Sequence, residues 1–323
     1  MTRANRPRTN QTASVYHLVD CGVSTARPYR CATHAQTFNA LRETDMMTRD
    51  APIGVFDSGL GGLSVLDAMR ARLPNESMVY IADSGYAPYG EKTDAFIRQR
   101  SKAIADWLVE RGAKMIVVAC NTATTHAIGY LRSSLTVPVV GVEPGVKPAA
   151  FATVSGIAGV LATAATLRSD RLKALIAEHE ARCRFVCQAG HGLVEQIEQG
   201  RLDGAIVDDL LTRYLTPMAN AGADTVILGS THFALLAATV RRLFGNRFAL
   251  IETGSAIARR VQALLHEASL TAHAHAPGSV EYFSTAHSAE QRQPLVAIAS
   301  RLPMSGPQLS VAYAHIAHAL ADA

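Results

Sequence analysis

No stretch of this 323-residue chain approaches the roughly 18 consecutive apolar residues of a membrane-spanning helix. Charge is sparse and nearly balanced: charged residues make up 18% of the chain, and the formal net charge is +4. Most of that excess lies in the first 50 residues, which hold seven arginines, no lysine and four acids. The remainder is close to neutral, so composition gives no case for nucleic-acid binding. Arg3, Arg6 and Arg8 open the chain, but no apolar core of a secretory signal follows, and a cytoplasmic location is expected. Cysteine is scarce and odd in number: Cys21, Cys31, Cys120, Cys183 and Cys187. That count in a chain of this length argues against a disulfide framework. Cys183 and Cys187 lie close in sequence without further ligands around them, so no metal centre is expected.

What is present is ordinary globular material. Hydrophobic residues make up 48% of the sequence, and the length suggests about two domains. Residues 1–50 show neither helix nor strand period and read as a disordered N-terminal extension, or as a start assigned upstream of Met46 or Met47. Order begins with the buried strand Ile53–Phe56, a turn Asp57-Ser58-Gly59-Leu60-Gly61-Gly62 and a helix from Leu63. Met78–Ala82 is a second strand. A long amphipathic helix over 94–111 turns Ile97, Ile104, Trp107 and Leu108 inward. Met115–Ala119 is uninterruptedly apolar, as a strand buried on both faces of a parallel sheet would be. Strands at 157–161, 184–186, 225–228 and 248–252 alternate with helices through the second half. Such alternation predicts a doubly wound α/β architecture. Beyond about residue 271 one strand-like piece (280–284) precedes two helix-like pieces.

An internal repeat locates the site. Gly112-Ala113-Lys114-Met115-Ile116-Val117-Val118-Ala119-Cys120-Asn121-Thr122 lies without a gap over Gly222-Ala223-Asp224-Thr225-Val226-Ile227-Leu228-Gly229-Ser230-Thr231-His232. Each copy is a turn, an apolar strand, a small residue, a nucleophile-type residue and two polar residues that open a helix. Ligands of open parallel sheets sit off the carboxyl ends of strands, where Cys120 and Ser230 both fall. The N–H groups that follow favour an anion such as a carboxylate. Taken alone, Cys120 reads as a small buried residue, Ser230 as a helix cap and His232 as a structural histidine. Their paired placement makes them candidates to approach one ligand from opposite sides. A dinucleotide-binding turn competes for Gly59–Gly62, with Asp83 at the distance that motif expects for its acid. Ser64 in place of the third glycine and the charge of Asp57 oppose it.

The motifs Asp57–Gly62, Pro88-Tyr89-Gly90-Glu91-Lys92, Ala119-Cys120-Asn121-Thr122-Ala123-Thr124, Val142-Glu143-Pro144, Leu161-Ala162-Thr163, Leu193-Val194-Glu195 and Gly229-Ser230-Thr231-His232 occur in one order over about residues 52–270. In these the chain resembles the glutamate racemases of the aspartate/glutamate racemase superfamily. The resemblance implies two pseudo-symmetric α/β domains with parallel sheets and the ligand in the cleft between them. The expected first domain spans 51–146 plus about 249–285, the second 147–248, with a helical tail over 286–323. It further implies a cytoplasmic enzyme without cofactor or metal that interconverts L- and D-glutamate by two-base proton transfer, for peptidoglycan synthesis. A homodimer is the state common in that family. Cys120 and the residue at 230 would flank the α-carbon, supported by Asp57 on one side and by His232 with Glu195 on the other. Substrate contacts would fall on Asp57, Ser58, Tyr89, Gly90, Asn121, Thr122, Thr163, Thr231 and His232.

The second thiol of the family pattern Gly-Cys-Thr-His is here Ser230. A thiol with an ordinary pKa of about 8.5 can be poised as a base, whereas an alkoxide forms far less readily. Gly190-His191-Gly192 also stands where many relatives carry Cys-Pro-Gly, and Ala234 replaces a proline after Phe233. Impaired inversion is therefore expected. The alternatives are a degenerate paralogue that binds glutamate without efficient turnover, or a single-cysteine enzyme of the same superfamily.

Overall fold

The apolar run Ile53–Asp57 (β1) is buried at every position, which requires cover on both faces. In this computed structural model, which describes residues 49–274, 277–302 and 309–317, β1 lies inside a six-stranded sheet ordered β10-β9-β2-β1-β3-β4. Its companions are β2 (Met78–Ala82), β3 (Met115–Val118), β4 (Val139–Gly141), β9 (Val280–Ser284) and β10 (Val311–Tyr313), all paired in parallel. A second, four-stranded sheet is ordered β6-β5-β7-β8, from β5 (Ile157–Ala162), β6 (Arg184–Ala189), β7 (Thr225–Leu228) and β8 (Ala249–Ile251), again entirely parallel. Both sheets belong to one compact unit. The expected N-terminal extension lies, but for its last two residues, outside the described residues.

The connecting helices are α1 (Leu63–Arg72), α2 (Asp94–Glu110), α3 (Asn121–Ser134), α4 (Val146–Ala152), α5 (Ala164–Arg168), α6 (Asp170–His179), α7 (Leu193–Glu198), α8 (Ala205–Asn220), α9 (Thr231–Ala234), α10 (Ala237–Phe244), α11 (Gly254–Glu267) and α12 (Ala289–Ala299). Ile97, Ile104 and Leu108 of α2 are buried as their spacing requires. Trp107 lies on the flank of that stripe, edge-on to Phe283 at 5.0 Å with the Arg111 guanidinium 3.9 Å over it.

The strand orders carry the functional information. From β1 the chain steps to β2 on one side and then crosses to β3 on the other. From β5 it steps to β6 and then crosses to β7. Each sheet thus has a switch point, and the crevice at the carboxyl end of such a point is where open α/β sheets bind ligands. The repeat seen in the sequence is β3 with its flanks laid over β7 with its flanks. Its leading glycines, Gly112 and Gly222, close α2 and α8 with φ of 82° and 90°. That left-handed conformation disfavours any residue with a Cβ.

Two placements differ from the sequence expectation. β8 pairs with β7, so the chain leaves the second sheet only after Ile251, through α11. The expected helical tail contains α12 but also, among the described residues, β10, an edge strand too short to show a period.

Candidate active site

Asp57 ends β1 and is fully buried. Its Oδ1 accepts the Ser58 N–H at 2.6 Å and the Ser58 hydroxyl at 3.2 Å. Its Oδ2 accepts the Gly62 N–H and, at 3.5 Å, the hydroxyl of Thr231 from the other half. Burial pushes the Asp57 carboxyl above the usual carboxylate range, against the opposing pull of His232 and of the hydrogen bond from Cys120. The turn after Asp57 needs glycine for a reason of contact. A Cβ on Gly59 would fall on the Glu198 carboxylate, and one on Gly61 would meet the ring and backbone nitrogens of His232.

Cys120 follows β3 and caps α3, its Sγ accepting the Ala123 N–H at 3.4 Å. The thiol donates to the Ser58 hydroxyl at 3.4 Å, and Ser58 in turn reaches Asp57. Burial, reinforced by the negative charge of Asp57, pushes the Cys120 pKa up to about 12. A pKa that high favours the thiol over the thiolate at neutral pH.

Ser230 occupies the equivalent point after β7. Cys120 has φ −128° and ψ 124°, and Ser230 has φ −139° and ψ 142°. The Ser230 hydroxyl makes no capping bond. His232 Nε2 is 2.6 Å from Glu198 Oε1, which also accepts the Leu60 N–H at 2.8 Å. The other ring nitrogen faces Gly61. Neither nitrogen is engaged by Ser230, so the pair is not arranged as a nucleophilic Ser-His couple. Burial works against a charged imidazolium, yet the Glu198 hydrogen bond and charge outweigh it and raise the His232 pKa.

A cavity of about 950 Å³ opens between the carboxyl ends of the two sheets. From the first half it is lined by Asp57, Ser58, Tyr89, Gly90, Cys120, Asn121 and Thr122. From the second it is lined by Thr163, Glu195, Ser230, Thr231 and His232. Every candidate residue of the sequence therefore reaches one cleft. Asn121 spans it, donating to the Gly229 carbonyl at 3.4 Å. A second cavity, about 590 Å³, lies between β4 and α11, and none of the candidate residues lines it.

Comparison with known proteins decides the family. The profile of the Asp/Glu/Hydantoin racemases matches residues 53–261, the stretch that holds both switch points. The chain belongs to this racemase family. A glutamate racemase of Cupriavidus pinatubonensis is 53% identical over 251 residues, covering 77% of this chain and 91% of the relative. One from Ralstonia nicotianae is 49% identical, covering 80% and 94%. Among solved structures, a glutamate racemase isoform from Bacillus anthracis superposes with a TM-score of 0.72 at 28% identity, covering 83% and 98%. The Escherichia coli glutamate racemase, solved with L-glutamate and an activator, superposes with a TM-score of 0.70 at 34% identity, covering 81% and 97%.

Within the racemase frame, two residues stand differently from the sequence expectation. Glu195, expected with His232 to support position 230, is exposed on the cleft wall, where its charge adds to those that raise the His232 pKa, and the carboxylate hydrogen-bonded to His232 is Glu198. The two are three apart on α7 and share a helix face, and the sequence reading singled out Glu195 and missed Glu198. Tyr89, expected as a substrate contact, lines the cleft, and its buried hydroxyl donates to Asp83 at 2.6 Å. Asp83 also accepts from Arg100 and Thr285, and with both oxygens engaged it is not available to hold a ribose. The racemase cleft has further lining that the sequence reading missed, namely His191, His287 and Gln291. His191 was visible only as a departure from the family pattern. The other two come from the segment around the start of α12, whose place no motif announces. Cys183 is buried and Cys187 exposed. Among the described residues no group of three or more His, Cys, Asp or Glu is placed to hold a metal ion, and no helix is long and apolar enough to cross a membrane.

Proposed function

We propose that this chain is a cofactor-independent amino-acid racemase acting on glutamate in the cytoplasm, supplying the D-isomer for peptidoglycan, with unequal proton transfer on the two faces. The observation that carries this reading is the presence of Cys120 and Ser230 at equivalent junctions lining one cleft. The N–H groups at the start of α3, a fourteen-residue helix, suit a substrate carboxylate. The substrate ammonium brings a positive charge next to two groups whose ionisation burial opposes, Asp57 and Cys120. That charge lowers the thiol pKa in the complex. The Cys120–Ser58–Asp57 chain of hydrogen bonds gives the thiol proton a route to a carboxylate of raised pKa.

The Cys120 thiolate then takes the α-proton from one face and leaves a carbanion. The Ser230 hydroxyl delivers a proton to the opposite face, and water returns a proton to the oxygen. In the reverse direction serine must act as the base, which its high pKa disfavours. By the family roles, the enantiomer that Cys120 deprotonates is D-glutamate. Proton NMR in deuterated water tests this: α-deuteration of D-glutamate should outrun inversion in either direction. Equal and fast turnover of both enantiomers would refute the asymmetry. A second reading, binding without turnover, is favoured by the lost thiol alone. It predicts calorimetric binding of glutamate with no α-exchange.

A further inference from the structure

Arg100 sits in the middle of α2 and is almost completely buried. Each of its three nitrogens is engaged. Nε and one terminal nitrogen bond the two oxygens of Asp83 at 2.9 and 2.6 Å, and the other terminal nitrogen donates to the Ile316 carbonyl at 3.0 Å. The guanidinium plane lies 4.1 Å from the Tyr86 ring centre. Asp83 is fully buried and takes the Tyr89 hydroxyl on one oxygen and the Thr285 hydroxyl, at 2.8 Å, on the other. Thr285 also accepts the Gly85 N–H at 3.1 Å. The segment fastened this way is a cleft wall, since Ser84, Gly85, Ala87, Pro88, Tyr89 and Gly90 all line the cavity. A fork of parallel donors fixes a carboxylate in direction as well as position, which a lysine ammonium does not.

We infer that Arg100 is a positioning residue for the substrate cleft: through Asp83 it sets Tyr89 and the 84–90 wall, and through Ile316 it ties that wall to the C-terminal segment. Arg100 touches no cavity surface itself and acts on binding from behind. Its effect on substrate rests on the glutamate reading above, so the test has one arm that uses glutamate and one that does not.

In the first arm, α-proton exchange of D-glutamate is measured for Arg100→Lys, Tyr89→Phe and the double variant. Loss of the charged fork should raise KM about tenfold with kcat within about threefold. Tyr89→Phe removes only the hydroxyl and should raise KM about threefold. The double variant should be no worse than Arg100→Lys alone, because both act through one carboxylate. In the second arm, hydrogen–deuterium exchange of the free enzymes should show amides 84–90 exchanging about tenfold faster in Arg100→Lys, with β1 and β3 unchanged. Multiplicative effects in the double variant, or a fall in kcat at constant KM, would overturn the inference. So would unchanged amides 84–90. Absence of α-exchange in the wild type would count against the glutamate reading alone, and the amide measurement would still decide the role of Arg100.

Discussion

The junctions at Cys120 and Ser230 share a backbone conformation, a preceding parallel strand and a place at a switch point, but they differ in what holds the reactive atom. Around Cys120 the bonds are local: Sγ caps a fourteen-residue helix and leans on Ser58 and Asp57. Around Ser230 the helix is four residues long, the hydroxyl caps nothing, and the strong contact belongs to its neighbour His232. The first half fixes the candidate reactive atom itself. The second fixes the neighbouring histidine and leaves the Ser230 hydroxyl without a cap bond, while its carbonyl accepts the Phe233 and Ala234 N–H groups. A two-fold architecture thus preserves backbone geometry on both sides while the side chain is held more firmly on one.

Four experiments would break or sharpen that contrast. The largest effect is expected for Cys120→Ala, which should lower α-deuteration of D-glutamate by about 10³-fold, while Ser230→Ala changes it by less than about threefold. Equal losses in the two variants would erase the difference. Next, Ser230→Cys should raise racemization, followed by circular dichroism, by about 10²-fold or more. No gain would mean that the second side is impaired beyond residue 230. A smaller effect, about tenfold on inversion, is expected for Glu198→Gln. Because Glu198 holds the His232 pKa up, its removal should move the imidazole titration, read by NMR, to lower pH. An unmoved titration would detach Glu198 from His232. The smallest concerns the free thiol. With its pKa near 12, Cys120 should alkylate slowly at pH 7 and about tenfold faster per pH unit up to pH 9, without a plateau. Asp57→Asn should speed alkylation a few-fold at a given pH, since the Asp57 charge raises that pKa.

Much of this was legible in sequence because it is local. Buried parallel strands read as unbroken apolar runs, and the gapless repeat from Gly112 and Gly222 puts Cys120 and Ser230 at matching strand ends. What stayed hidden depends on contacts distant in the chain. Arg100, mid-helix, reads as a solvated charge until Asp83, Thr285 and Ile316 converge on it. Glu195 and Glu198 could not be ranked without knowing which turn of α7 faces Leu60. β10 has too few residues to display alternation, and its strand character comes from the β9 edge that it joins.

Gly59 and Gly61 carry a consequence of their own. At Gly59 the atoms in the way are the tip of the Glu198 side chain, which can swing aside, but at Gly61 the backbone nitrogen of His232 stands 2.6 Å from where a Cβ would lie. A methyl group gained at Gly61 would act as a shim between the two lobes. The halves are keyed together at that point: added bulk in the turn of one has to be met by a backbone shift in the other.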